Sequence, residues 1–138
     1  MAPRVHDCVG ALLVSEGRIL LGRRSDDCDW LAGAWDVFGG HVEAGESGEQ
    51  ALHRELQEEL GIAPMEMHYL GVLAGDAPEP WRLRLYRVVR WQGAPTNLAE
   101  HAELRWCTLA EAQDRLRGAH RDFPGLLATA MASASAPP

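Results

Sequence analysis

Three glutamates within one five-residue stretch, Glu55, Glu58 and Glu59, are the side chains of this sequence best suited to chemistry. An α-helix turns roughly 100° per residue, so all three would project from one side of a helix. Like charges at this spacing repel each other, and a bound divalent cation would relieve that repulsion. Oxygen ligands favour hard ions, so we expect Mg²⁺ as the cofactor, with Mn²⁺ as a substitute. The alternative is an ordinary solvated acidic face.

The segment that carries these glutamates has clear helix signals. Ser47 and Gln50 have the spacing of a capping box, and Gly61 can adopt the left-handed conformation that ends many helices. Apolar side chains recur every four residues between them, at Leu52, Leu56 and Leu60. We therefore predict a helix that buries its leucines and presents its glutamates to a cleft.

The flanking residues extend this pattern. They read Gly40, five residues, Glu46, seven residues, and then Arg54-Glu55-Leu56-Gln57-Glu58-Glu59-Leu60-Gly61-Ile62. This stretch resembles the Nudix box, G-x5-E-x7-R-E-U-x-E-E-x-G-U, at every defined position. The resemblance implies an α/β protein with the Nudix fold, an α/β/α sandwich around a mixed sheet. It also implies a metal-dependent hydrolase that cleaves the pyrophosphate bond of a nucleoside diphosphate linked to a further group X.

The resemblance implies roles for individual box residues. The metal ligands would be the three glutamates and the backbone carbonyl of Gly40. Arg54 would orient the glutamates through paired hydrogen bonds. Glu46 is either a support for that site or a surface acid ahead of the helix.

The general base is less narrowly defined by the pattern. A box glutamate, Glu55 or Glu58, can serve, and so can an acid from a distant loop. In MutT-like members of the family a loop glutamate six residues before a tryptophan contributes to the metal site. Glu100 has this spacing from Trp106, and Glu103 is the weaker candidate.

Substrate contacts are predicted from three further residues. Arg23 ends a strand-like segment and could clamp phosphates. Phe38 stands where many relatives have a proline before the two glycines, and it could offer a ring for base stacking. Asp122 aligns with an asparagine that reads an oxidised guanine in bacterial MutT-like enzymes, and a carboxylate there can accept from exocyclic amines. Each has a simpler reading as a solvated or core residue.

Composition indicates a single compact domain. The chain has 138 residues, 46% of them hydrophobic, and we expect residues 1–131 to form one Nudix domain with a frayed or disordered tail from Ala132 to Pro138. A formal charge of −7 argues against binding a nucleic acid polymer, which needs clustered basic residues. The three cysteines are widely spaced and predict reduced, buried thiols.

Neither a signal segment nor an 18-residue apolar run is visible, so we expect no membrane partner and a cytoplasmic location. A homodimer is compatible with the resemblance, although no apolar stripe marks an interface.

Hydrophobic periodicity and turn residues predict the order β-β-β-α-β-β-β-α-α. The predicted strands are residues 7–15, 18–23, 35–38, 65–74, 81–91 and 104–107, and the later helices are residues 109–117 and 123–131.

The function predicted from these residues is hydrolysis of a nucleoside triphosphate or an oxidised nucleotide. Two alternatives remain open at this point: a Nudix-fold module that senses a nucleotide without turnover, and a hydrolase of sugar nucleotides or ADP-ribose.

Overall fold

The computed structural model describes residues 5–27, 32–99 and 101–135. In these ranges the chain forms seven strands and three helices: β1 His6–Ser15, β2 Arg18–Arg23, β3 Trp35–Asp36, β4 Phe38–His41, α1 Gly48–Leu60, β5 Ala63–Gly75, β6 Trp81–Gln92, β7 Glu103–Cys107, α2 Leu109–Leu116 and α3 Phe123–Ser135.

The strands form one sheet with the order β3-β2-β1-β6-β5, in which β4 also pairs with β1 and β7 with β2. Strands β1 and β6 are parallel, whereas β1 is antiparallel to β2 and to β4. The sheet is therefore mixed, as predicted. Glu16 and Gly17, which join β1 to β2, have φ values of 51° and 75°. Two successive positive φ values are typical of the tight hairpin turns whose twist matches that of the flanking strands.

Helices cover both faces of this sheet. Alternate residues of β1 (Val9, Ala11, Leu13) pack with the leucines of α1 on one face. The intervening residues, Leu12 and Val14, pack with α2 and α3 on the other. Because successive strand residues point to opposite faces, the apolar run of β1 supplies both cores. The layers are those of the predicted α/β/α sandwich.

Helix α1 begins and ends as its sequence predicts. The Ser47 hydroxyl accepts a hydrogen bond from the Gln50 backbone at 3.1 Å, and the Gln50 side chain accepts one from the Ser47 backbone at 2.8 Å. Gly61 has φ 68° and ψ 27°, and its N–H donates to the Gln57 carbonyl. These caps satisfy backbone groups that the helix itself leaves unpaired.

Ser47→Ala is expected to lower the free energy of unfolding by about 1 kcal/mol, because it removes the acceptor of the capping box. Urea unfolding followed by circular dichroism measures the change. Thr129→Ala is the control, since it removes a hydroxyl from within α3 and leaves a good helix former. Equal stability of Ser47→Ala and the wild type would contradict the capping assignment.

Some boundaries differ from prediction. Helix α3 continues to Ser135, four residues beyond its predicted end. The expected disorder of the tail stays a prediction. Alanine and serine alternate there, and alanine has the highest helix propensity. Residues 136–138 lie outside the described part of the chain. Within the described ranges no helix is long and apolar enough to cross a membrane.

Two of the three cysteines can be placed. Cys107 is buried, as expected, and Cys8 is partly buried; both are free thiols. Cys28 lies outside the described residues.

Candidate active site

The Gly39-Gly40 pair brings two of the predicted glutamate ligands against the sheet. Strand β4 pairs with β1 so that Gly40 lies opposite Val9. A Cβ atom placed on Gly40 would come within 2.6 Å of the Glu55 carboxylate, which therefore rests directly on the glycine backbone. The Gly39 N–H donates to Glu59 Oε2 at 2.8 Å. Glu55 and Glu59 thus lie side by side at the double glycine.

Arg54 links the remaining acids of the site. Its Nε and Nη2 donate to the two Glu46 oxygens at 2.9 and 3.0 Å, which is a bidentate pair. Its Nη1 lies 2.8 Å from Glu55 Oε1 and 3.4 Å from Glu58 Oε2. Nη2 also donates to the His41 carbonyl at 3.0 Å. One guanidinium thus joins the loop after β4 to the acidic face of α1.

The carboxylates of this network differ in how well their negative charges are compensated. Hydrogen bonds from Arg54, and then from the Glu43 backbone, lower the pKa of Glu46 to about 2. Burial raises the pKa of Glu55, and the nearby Glu59 and Glu58 charges add to this rise, although Arg54 opposes it. Glu55 therefore carries a negative charge that its surroundings do not fully compensate, and a cation beside it would be stabilised.

Glu58 is the least constrained of the three glutamates. Its side chain is 59% exposed. Among the described residues, no three His, Cys, Asp or Glu side chains are arranged as a complete set of metal ligands. Glu55 and Glu59 turn toward β4, while Glu58 extends toward Arg54 and solvent. The donors nevertheless suit a hard divalent ion, because all are oxygens and the Gly40 backbone is bare beside Glu55.

The loop acids behave differently from the box glutamates. Glu103 pairs with Arg23 at 3.2 Å and with Arg105 at 3.2 Å, so its carboxylate is engaged by two arginines. Glu100, the predicted loop contribution to the metal site, lies outside the described residues.

The predicted substrate residues have distinct surroundings. Arg23 is paired with Glu103 and, at 3.4 Å, with Asp26, so a phosphate would have to replace these partners. Asp122 immediately precedes α3, and its side chain is 62% exposed. Phe38 is wholly buried, with an exposed fraction of 0%. Its predicted role in base stacking is therefore wrong for this conformation, because the ring belongs to the core beneath α1.

One residue of the site was missed by sequence reasoning. His101 Nε2 lies 3.8 Å from Glu59 Oε1, and its ring packs edge to face against Phe38. Its adjacency to the loop glutamate Glu100 was the one available signal in the sequence. A lone loop histidine does not otherwise stand out.

The sheet order, the double glycine and the acidic helix are together those of a Nudix domain, and the family model described as "NUDIX domain" matches residues 4–127. The chain belongs to the Nudix family, and its relatives are MutT-like. It is 36% identical over 110 residues to the CTP pyrophosphohydrolase of Escherichia coli (strain K12), covering 79% of this chain and 80% of that protein. It is 36% identical over 93 residues to the 8-oxo-dGTP diphosphatase of the same organism, covering 67% and 71%.

Solved structures agree with this assignment. A MutT Nudix hydrolase from Burkholderia pseudomallei superimposes with a TM-score of 0.78 at 32% identity, over 91% of this chain and 97% of that one. The solution structure of the E. coli ORF135 protein gives a TM-score of 0.79 at 33% identity, over 99% and 95%. The predicted fold class is confirmed.

Arg54→Lys is expected to weaken activation by a divalent metal ion about 10- to 100-fold, because lysine cannot hold Glu46 in a bidentate pair while also contacting Glu55. The measurement is the Mg²⁺ dependence of nucleotide hydrolysis. Arg90→Lys, at an exposed position of β6, serves as the control. An unchanged Mg²⁺ dependence in Arg54→Lys would show that the guanidinium does not position the ligands.

Proposed function

We propose that this protein is a Mg²⁺-dependent pyrophosphohydrolase of nucleoside triphosphates with ordinary or oxidised bases. The observation that carries the proposal is the placement of the Glu55 carboxylate on the Gly40 backbone, with Arg54 and Glu46 holding it there. The 36% identity to a CTP pyrophosphohydrolase and to an 8-oxo-dGTP diphosphatase supports the substrate class.

The residues of the site fit the role of holding a divalent cation. Its ligands would be the Gly40 carbonyl and the carboxylates of Glu55, Glu58 and Glu59. A bound ion would neutralise phosphoryl oxygens and lower the pKa of a coordinated water. Arg54 keeps Glu55 oriented, and the Gly39 N–H keeps Glu59 oriented.

Hydrolysis requires a group that takes a proton from the attacking water. Glu58 is our candidate, since it is exposed and its contact with Arg54 is long, at 3.4 Å. The water oxygen bonds to one phosphorus, the bridging P–O bond breaks, and its electron pair leaves with the departing phosphate or pyrophosphate. Glu100 is a second candidate to assist at the same site.

We assign substrate selection to two charged side chains, those of Arg23 and Asp122. Arg23 would release its partners Asp26 and Glu103 and bind a phosphate instead. The several negative charges of a triphosphate would favour this change. When it is ionised, the exposed carboxylate of Asp122 accepts hydrogen bonds and donates none. It would favour a base with an exocyclic amine, so CTP should be a better substrate than UTP.

The test is a substrate screen with purified protein. Ordinary and oxidised nucleoside triphosphates, nucleoside diphosphates, sugar nucleotides and dinucleotides are each incubated with Mg²⁺ or Mn²⁺, and products are identified in ¹⁸O-labelled water. We expect triphosphates to be cleaved and the label to identify the attacked phosphorus. Hydrolysis of sugar nucleotides alone would overturn the substrate class. Nucleotide binding without hydrolysis under every condition would overturn the enzymatic assignment in favour of a sensor.

A further inference from the structure

His101 places a largely buried imidazole beside Glu59, and no step described above uses it. Its side chain is 14% exposed, and Nε2 has no hydrogen-bond partner among the residues that the structure describes. The nearest acid is Glu59, whose Oε1 lies 3.8 Å away. Buried polar atoms are nearly always paired, so an unpaired one next to a predicted metal ligand calls for a function.

The backbone of His101 is held in place by its own loop. Asn97 Oδ1 accepts from the His101 N–H at 3.0 Å, and Asn97 Nδ2 donates to the His101 carbonyl at 2.6 Å. The next residue, Ala102, donates to the Arg23 carbonyl at 2.8 Å, which ties the loop to β2. Three hydrogen bonds therefore fix the backbone from which the ring projects.

The ring itself is confined by its packing. Phe38 contacts it edge to face, with a centroid distance of 5.4 Å. Gly22 makes room for another side of the ring, because a Cβ atom at this position would come within 3.2 Å of His101 Nδ1. With Nδ1 facing Gly22, Nε2 is the ring nitrogen left to face Glu59. A confined ring of this kind can hold a neighbouring group at low entropic cost.

One carboxylate oxygen of Glu59 accepts a short hydrogen bond, and the other does not. Oε2 accepts from the Gly39 N–H at 2.8 Å, whereas Oε1 faces His101 at 3.8 Å. A movement of roughly 1 Å would bring Nε2 to an ordinary hydrogen-bond distance of about 2.9 Å. Metal ligands are commonly oriented by such outer hydrogen bonds.

We propose that His101 is a positioning residue that donates a hydrogen bond from Nε2 to Glu59 Oε1 when the site holds its divalent cation. The Gly39 N–H and His101 then each hold one oxygen of the Glu59 carboxylate, which leaves its remaining lone pairs available to a cation. This inference rests on the proposed function, because it assigns Glu59 to the metal site.

Mn²⁺ binding to the nucleotide-free protein tests it without reference to turnover. Free Mn²⁺ is measured by electron paramagnetic resonance in wild type, His101→Phe, His101→Gln and the control His68→Phe. We expect His101→Phe to bind Mn²⁺ about 10- to 100-fold more weakly. His101→Gln should recover much of this loss, since its amide can donate from a similar position. His68 is an exposed residue of β5, so His68→Phe should bind as wild type does.

A second measurement uses the wild type and does not depend on how the variants fold. Long-range ¹H–¹⁵N spectra of the imidazole report which nitrogen carries the proton. On addition of Mg²⁺ we expect His101 Nε2 to be protonated and its proton to become protected from solvent exchange. An unprotonated Nε2 in the Mg²⁺-bound protein would overturn the proposal, as would wild-type Mn²⁺ affinity in His101→Phe.

Failure of this inference can be distinguished from failure of the proposed function. If the wild type hydrolyses nucleotides and His101→Phe binds Mn²⁺ normally, the role of His101 is wrong and the enzymatic assignment stands. If the wild type neither binds Mn²⁺ nor hydrolyses any nucleotide, the proposed function is wrong and the role of His101 falls with it.

Discussion

Glu58→Gln is expected to lower kcat by about 10²- to 10⁴-fold, the range typical for loss of a general base. The side chain is 59% exposed, so the variant should unfold at nearly the same urea concentration as the wild type. Gln keeps the size of the side chain but loses the charge that would bind a cation or accept a proton. Single-turnover and steady-state kinetics at saturating Mg²⁺ measure the change.

Glu49→Gln is the matched control for this substitution. Glu49 lies on the same helix, is exposed and sits in the first turn, away from the double glycine contacts. Its loss should affect α1 by a few tenths of a kcal/mol and leave kcat unchanged. A Glu58→Gln variant with more than half of wild-type turnover would remove Glu58 from the reaction and favour Glu55 or Glu100 as the base.

Gly39→Ala is expected to destabilise the fold by about 3 kcal/mol or more, which is in the range of severe core substitutions. Gly39 has φ 153°, and a Cβ atom there would lie 2.0 Å from the Val9 carbonyl oxygen on the neighbouring strand. That oxygen belongs to the backbone of the central strand, so it cannot move aside as a flexible side chain can. Strand β4 would have to separate from β1, and the Gly39 contact with Glu59 would be lost with it.

Urea denaturation gives the free energy of unfolding, and Gly125→Ala is the control. Gly125 lies within α3, and no heavy atom lies within 4 Å of a Cβ built there. Alanine in a helix is favoured over glycine by up to about 1 kcal/mol, so the control should be as stable as the wild type or more stable. A Gly39→Ala protein with wild-type stability would show that β4 does not pair closely with β1 in solution.

Local features of the fold were predictable because they depend on neighbouring residues. The capping box at Ser47, the glycine at position 61 and the leucine spacing of α1 all act within a few residues, and the helix has the predicted bounds. The neighbouring strands β1 and β2 were predicted for the same reason. By contrast, the parallel pairing of β1 with β6 joins segments far apart in sequence, and no local pattern specifies that partner.

The same distinction applies to the candidate site. The grouping of Glu55 with Gly40 came from the spacing of the box, and the structure places them in contact. Whether Phe38 stacks on a base or packs in the core depends on which face of the sheet its strand presents, which residue type does not reveal. His101 meets Glu59 through a loop that returns from β6 to β7, so this contact could not be inferred from either residue alone.

The bidentate pair between Glu46 and Arg54 has a consequence for how the protein responds to acid. An unperturbed glutamate has a pKa of 4.5, while that of Glu46 in the folded protein is about 2. A lowered pKa means that the attraction is fully present above about pH 4.5 and disappears only as the pH falls through 2. If activity is lost between neutrality and about pH 5, the cause would therefore lie outside the Glu46–Arg54 pair. This pair keeps the loop after β4 attached to the acidic helix throughout that pH interval.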